Sequence, residues 1–417
     1  MKVLVIGSGG REHALAWKLS ESPVVSKVYV APGNPGMENV AELVSINEAD
    51  LKGLSTFAQE QAIDLTVVGP EVPLLAGIVN VFQEAGLRVF GPTKEAALIE
   101  GSKSFAKEFM QRYQIPSGSY FVTTDFDEAV THVKQQGAPI VIKADGLAAG
   151  KGVTVAFSEE EAIAALSDIL KDSKFGDAGA QVVIEEYLEG EELSLMAFVH
   201  GDTVVPMVGA QDHKRAFDGD KGPNTGGMGA YSPVPQFDQA DIDQAVREVL
   251  QPAASGMVKD GRSFTGILYA GLMMTGAGPR VIEFNARFGD PEAQVVLPRL
   301  ESDLAVVLLD LLSGETPDLT WSDDAVLGVV AASKGYPGPY EKGKQLGMLP
   351  DAAYLFIAGA DRKNGGYVTA GGRVLLAAEK ASTLEEAQAA VYQKLEQLDD
   401  RHVFYRKDIG DRAIKRI

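Results

Sequence analysis

The run Val281-Ile282-Glu283-Phe284-Asn285-Ala286-Arg287-Phe288-Gly289-Asp290-Pro291-Glu292 spaces a carboxylate, an amide and a guanidinium two residues apart. In an extended strand that spacing turns Glu283, Asn285 and Arg287 to one side. Carboxylate and amide oxygens suit Mg²⁺, which takes few protein ligands and completes its shell with phosphate and water. An arginine beside them can grip an anionic oxygen through two N–H groups. Three such groups are costly to bury without partners, so the face points to a site, with a purely structural polar network as the competing reading.

Glycine-rich segments supply further candidates. Gly7-Ser8-Gly9-Gly10-Arg11-Glu12 follows a short apolar run and opens a helical pattern, so backbone N–H groups and the positive helix end face one loop, as a phosphate requires. It is not the dinucleotide fingerprint, because Glu12 stands at the third glycine position. The second strand ends at Ala31-Pro32-Gly33-Asn34-Pro35-Gly36 with no acid for a ribose hydroxyl, which disfavours an NAD-dependent oxidoreductase. Asp145-Gly146-Leu147-Ala148-Ala149-Gly150-Lys151-Gly152 resembles a P-loop but is one residue short, lacks the Ser/Thr and lies between two strands. A glycine hairpin of this kind can close over a triphosphate, with Lys143 and Lys151 adding charge. The stretch 185–192 carries five carboxylates in eight residues. It is either a solvated turn or a nucleotide hinge in which the backbones of Glu186 and Leu188 read the adenine edge and Glu192 holds the ribose. Gln211-Asp212-His213-Lys214-Arg215, running on to Gly229, reads as a substrate loop.

Composition narrows the class. The 417 residues carry a formal net charge of −20, with 45% hydrophobic and 23% charged residues. This is the balance of an ordinary globular chain, with no basic cluster for nucleic acid and no apolar span of membrane length. A soluble, cytoplasmic protein is expected. Cysteine is absent and histidine numbers only five, which removes thiolate catalysis, disulfides and Cys- or His-rich metal sites. A chain this long should hold two to four domains.

The elements that must position these residues alternate in the first third: strands over 2–6, 27–31, 64–68 and 87–90, with helices over 13–19, 51–61 and 76–85. This is a βαβ pattern whose loops follow the strand ends, where open sheets bind ligands. From about residue 140 the pattern becomes α+β, with strands over 139–143, 153–157, 181–185 and 193–200 and a helix opened by Ser158. Residues 217–235 read as a long functional loop. Strands over 266–274 and 281–284 follow, and a last unit has strands over 327–332 and 372–377 and a helix over 384–395.

Together these segments resemble the phosphoribosylamine–glycine ligase (glycinamide ribonucleotide synthetase) family of the ATP-grasp superfamily. The resemblance spans the chain and rests on Gly7–Glu12, Gly69-Pro70-Glu71, Lys143-Ala144-Asp145-Gly146, 211–229 and, most specifically, Arg287-Phe288-Gly289-Asp290-Pro291-Glu292-Ala293-Gln294. It implies an ATP-grasp fold with an N-terminal open parallel-sheet domain over 1–102. An ATP-grasp domain over 103–325, with a lid at about 122–190, and a small α+β C-terminal domain over 326–417 would follow, with no fused activity beyond. The implied reaction joins glycine to 5-phosphoribosylamine through glycyl phosphate, forming glycinamide ribonucleotide, ADP and phosphate in purine biosynthesis.

The residues this implies are Arg287, Asp212 and Lys214 at the chemistry and Glu283 with Asn285 for Mg²⁺ or Mn²⁺. ATP falls to Lys103, Lys143, Gly146, Gly150, Lys151, Glu185, Glu186, Leu188 and Glu192. The substrates fall to Gly9, Gly10, Asn34 and Glu71, with Asp212 and Arg287. A monomer with small-molecule substrates only is expected. The alternatives are another ATP-grasp carboxylate–amine ligase, a biotin-carboxylase-like enzyme and, more distantly, a non-catalytic nucleotide-binding module.

Overall fold

The computed structural model describes residues 1–146, 152–172, 174 and 176–415. The first apolar run, Lys2–Gly7, is the middle strand of a five-stranded parallel sheet, flanked by Lys27–Pro32 and Leu65–Val68 and edged by Glu42–Leu43 and Val89–Phe90. Val3 to Ile6 have no solvent exposure, as expected of a parallel strand covered on both faces. The helix Gly10–Ser20 follows the first strand, so residues 7–9 form the turn at the carboxyl edge of the sheet. The single helix expected over 76–85 is instead two, Glu71–Ala76 and Ile78–Glu84. They break at Gly77, whose φ of 92° lies in the left-handed region that glycine enters at little cost.

The central part holds two antiparallel four-stranded sheets. One runs Thr203–Pro206, Glu191–His200, Thr265–Thr275, Gly278–Asn285 in spatial order. The other runs Tyr120–Thr123, Val182–Glu186, Ile140–Ala144, Val153–Ala156 and is backed by the helices Phe126–Gln136 and Glu159–Leu170. This smaller sheet has a hydrophobic cluster of its own, built on Val133, Ile142, Leu166 and Ile184. A unit with a private core can move as a body relative to the rest.

A fourth sheet corrects the expected long loop at 217–235. That stretch contains most of a small hairpin, Arg215–Phe217 with Lys221–Asn224, and then the strand Gly229–Ser232. Its glycines and prolines hid a strand whose residues are all buried. Gly229–Ser232 pairs with Ala325–Ser333, which pairs in turn with Arg373–Ala381, so the last sheet draws strands from both sides of residue 326. The helix Leu384–Leu395, capped by Thr383, packs against this sheet.

Candidate active site

The strand Gly278–Asn285 and the turn after it form one wall of a cleft, with Glu283, Asn285 and Arg287 all on its lining. The facing wall is the helix Lys103–Arg112, which contributes Lys103 and Lys107, together with Glu185 from the smaller sheet. The cleft encloses about 740 Å³ including its open mouth.

Two buried lysines share one carboxylate on the lysine side. Glu185 lies 2.8 Å from Lys107 Nζ and 2.8 Å from Lys143 Nζ, all three nearly without exposure. Burial acts to raise the Glu185 carboxyl, but Lys143 and Lys107 outweigh it and hold it below the ordinary range. Burial lowers both Lys103 and Lys107, partly offset by Glu283 for the first and Glu185 for the second. Lys103 Nζ donates to the carbonyl of Gly146 at 3.0 Å and, more weakly, to that of Asp145 at 3.3 Å. These contacts tie the helix to the start of the glycine turn. Gly150 and Lys151 lie outside the described residues.

On the opposite wall, Arg287 is held in a fork. Its Nε donates to Glu71 at 3.2 Å and its Nη2 lies 2.9 Å from Glu100. Nη2 also donates to the Asn285 side-chain oxygen at 3.1 Å, and Nη1 to the Phe288 carbonyl at 3.2 Å. Asn285 is thereby oriented with one oxygen lone pair still available. Glu283 lies 3.8 Å from Lys214, which pairs at 2.7 Å with Glu192. Burial works against the Glu283 charge, yet Lys214, Lys143 and Lys103 keep its carboxyl ionised below the ordinary range. Among the described residues no group of three or more His, Cys, Asp or Glu side chains could hold a metal. The pair Glu283 and Asn285 offers two hard oxygen donors, which fits a cation that relies on phosphate and water for the rest.

Asp212 ends a short strand beside this wall. Its Oδ1 is buried and has no hydrogen-bond partner among the described residues. Burial and the nearby Glu292 carboxylate push its pKa well above the ordinary value. The backbone of Gly227 passes so close that a β-carbon there would sit 2.6 Å from Asp212 Oδ1 and 2.4 Å from Pro291. Only glycine allows that approach.

Several expected residues have other occupations. The Gly9 amide is not free for a ligand: it donates to Glu12 Oε2 at 2.6 Å, and the Glu12 carboxylate fills the space under Gly7 and Gly69. Asn34 is a clasp. Its Nδ2 donates to the carbonyls of Ser8 at 2.8 Å and Ile357 at 2.9 Å, while its Oδ1 accepts from the Gly36 amide, so both its N–H donors are spent. Glu71 faces Arg287 as an ion-pair partner. The Glu186 amide donates to the Ser119 carbonyl at 3.0 Å, leaving the side of Leu188, in the link between two strands, as the open part of the expected hinge.

Sequence reading missed Lys107, Glu100 and Arg373. Lys107 sits one helical turn beyond Lys103, a spacing that could have revealed it once the helix was recognised. Arg373 Nη2 holds Asp290 at 2.7 Å and Nη1 donates to the carbonyls of Asp290 and Gly226, fastening the Arg287 turn to the last sheet. No local signal in the sequence marks that pairing.

Two antiparallel sheets closing on a cleft that sets lysines against a Glu–Asn–Arg strand define an ATP-grasp protein. The biotin carboxylase domain of Hydrogenobacter thermophilus 2-oxoglutarate carboxylase shares this fold at a TM-score of 0.74, with 16% identity and coverage of 97% of this chain and 91% of that one. Within that class the chain belongs to the phosphoribosylglycinamide synthetase family, whose N domain matches residues 1–100, ATP-grasp (A) domain 101–293 and C domain 326–412. The phosphoribosylamine–glycine ligase of Halalkalibacterium halodurans is 66% identical over 99% of this chain and 97% of its own length. That of Listeria innocua is 55% identical over 99% of this chain and its full length. The crystal structure of the Thermotoga maritima phosphoribosylamine–glycine ligase superposes with a TM-score of 0.86 at 35% identity, covering 98% of this chain and all of that one.

Proposed function

We infer that this chain joins glycine to 5-phosphoribosylamine, converting ATP to ADP and phosphate and yielding glycinamide ribonucleotide for purine biosynthesis. The reading is carried by the cleft, in which Lys103, Lys107 and Glu185 face Glu283, Asn285 and Arg287, in a chain that follows one ligase family along its length.

A glycine carboxylate oxygen attacks the γ-phosphorus and ADP leaves, giving glycyl phosphate. The amine then attacks the carbonyl carbon and expels phosphate. Phosphoryl transfer of this kind depends on positioning and charge neutralisation and needs no protein nucleophile. Lys103 and Lys143, with Lys107 sharing the Glu185 charge, offset the triphosphate, and Gly146 borders that end. Leu188 and the carbonyl side of Glu186 face the base, with Glu192 for the ribose. Glu283 and Asn285 would hold a divalent cation, Mg²⁺ with Mn²⁺ as the substitute, which would supply positive charge to the phosphate oxygens. Asp212 meets the glycine ammonium through its unpartnered oxygen, and Arg287 orients the carboxylate end. Lys214 holds Glu192 and Glu283 in register. Gly10, Gly9 and Glu71 border the phosphoribosyl end, with Asn34 supporting that loop from behind.

We retain the division into units over 1–102, 103–325 with a lid at about 122–190, and 326–417. We propose that the chain works as a monomer. No helix among the described residues is long and apolar enough to cross a membrane, and a purine-biosynthetic ligase drawing on ATP would work in the cytoplasm.

The test is ADP release with Mg²⁺-ATP, glycine and freshly generated phosphoribosylamine, added singly and together. ADP formed only with both, and lost when another amino acid replaces glycine, is the expected result. ADP with a different acid or amine would keep the chemistry and overturn the substrates.

A further inference from the structure

A second cavity shares no lining residue with the ligase cleft. Its apolar walls come from Val208, Pro233, Phe237, Ile242 and Trp321, and it encloses about 770 Å³ including its mouth. The charged group on its lining that matters most is Arg299, which is only 5% exposed. Arg299 Nη1 donates to Ser232 Oγ at 2.7 Å and Nη2 to the Ser322 carbonyl at 2.9 Å, both neutral acceptors. Its Nε is buried and has no hydrogen-bond partner among the described residues.

A guanidinium carries five N–H donors and stays protonated. Two of the five are accounted for here, and among the described residues no carboxylate hydrogen-bonds the group: Asp323 and Asp324 act on it only at a distance. Among the described residues the other buried arginines are paired, Arg406 with Asp220 and Asp408 and Arg11 with Glu12. Burying a charge is costly unless an opposite charge and hydrogen bonds compensate it. Arg299 therefore has the chemistry of an anion receptor at a cavity wall. The half-buried Trp321 ring on the same lining offers a flat apolar surface suited to a planar group. Asp238 also lies on the lining, with its carboxylate engaged at the cap of the helix Gln239–Ala245.

We propose that the cavity between Arg299 and Trp321 is a second binding site, taking a small molecule that carries a carboxylate or phosphate on a planar apolar body. The oxyanion pairs with Arg299 and the ring lies against Trp321, outside the cleft where ligation takes place.

The experiment is calorimetric titration of the full chain with phenyl phosphate, benzoate, neutral benzyl alcohol and inorganic phosphate, each in the presence of saturating Mg²⁺-ATP. Phenyl phosphate or benzoate should bind saturably, at least tenfold more tightly than benzyl alcohol or inorganic phosphate. Arg299→Met should weaken that binding by roughly tenfold or more, the value of a charge-assisted hydrogen bond. Because Arg299 also bonds Ser232 and Ser322, Gln239→Trp serves as a second variant. A tryptophan at this exposed lining position should fill the mouth and abolish binding, while ADP release with both substrates is unchanged. No saturable binding, binding unchanged in Gln239→Trp, or inorganic phosphate binding as tightly as phenyl phosphate would each overturn the proposal.

Discussion

The Glu100 carboxylate braces Arg287 from inside the protein, with Oε1 2.9 Å from Arg287 Nη2 and Oε2 accepting the Ala286 amide at 2.7 Å. Burial pushes the Glu100 carboxyl above its usual range, and Arg287 is the largest influence pulling it back. Glu100→Gln keeps the shape and removes that charge. Breaking a buried pair costs about 3–5 kcal/mol, less where a second carboxylate such as Glu71 remains. We expect a lower Tm and at least a tenfold fall in kcat/KM for glycine, with KM for ATP nearly unchanged. Steady-state kinetics with each substrate varied decides it: an unaltered glycine term would remove Arg287 from that end of the site.

Glu283→Ala and Asn285→Ala should each reduce turnover by more than about a hundredfold, beyond the loss typical of supporting residues around a metal. Both positions line the cleft, so circular dichroism and Tm should stay close to the parent. Removing divalent cations with EDTA should give the same loss, reversed by Mg²⁺. A Glu283→Ala chain that retained near-full activity at saturating Mg²⁺ would refute the metal pair.

Asn34→Ala separates two occupations of one residue. As a clasp, Asn34 ties the Ser8 loop to Ile357 through two donated hydrogen bonds. At about 1 kcal/mol per bond, and more where a buried partner is left unsatisfied, the loss should be about 2–3 kcal/mol. Denaturant unfolding would show it. Unchanged stability with a raised KM for phosphoribosylamine would instead make Asn34 a direct substrate contact.

Acid should destabilise the fold through His13 and His213, both buried and both lowered to a pKa of about 4, chiefly by burial. The unfolded chain takes up protons near pH 6.5, while the folded chain stays neutral at these sites until about pH 4. Stability present above pH 6.5 is therefore lost as pH falls from 6.5 to 4. Each site contributes at most about 3 kcal/mol. His13 Nδ1 accepts the Ile357 amide at 2.9 Å, a role the asparagine oxygen can take over. His13→Asn should therefore flatten the Tm–pH curve over this window, and a curve of unchanged slope would show that His13 is not a source of it.

Much of the architecture was legible because its signals are local. The apolar run into Gly7, the Ser158 cap and the alternation through Glu283, Asn285 and Arg287 each depend on a few neighbouring residues. The strand Gly229–Ser232 escaped because its pairing partner, Ala325–Ser333, lies far along the chain and the glycines around it carry loop composition. The same limit applies within the site. Spacing placed Glu283 and Asn285 on one lining, but Glu100 and Arg373 reach Arg287 and Asp290 only through tertiary packing. The Gly9 loop read as an open phosphate cradle although Glu12, at the third helical position, turns back to take the Gly9 amide, the local half of a capping box.

The most direct test of the central claim, activation of glycine as glycyl phosphate, is to run the complete reaction with glycine labelled by ¹⁸O in both carboxylate oxygens. One labelled oxygen should appear in each phosphate released, and the other should remain in the amide of the product. Phosphate free of label, with turnover intact, would contradict the account.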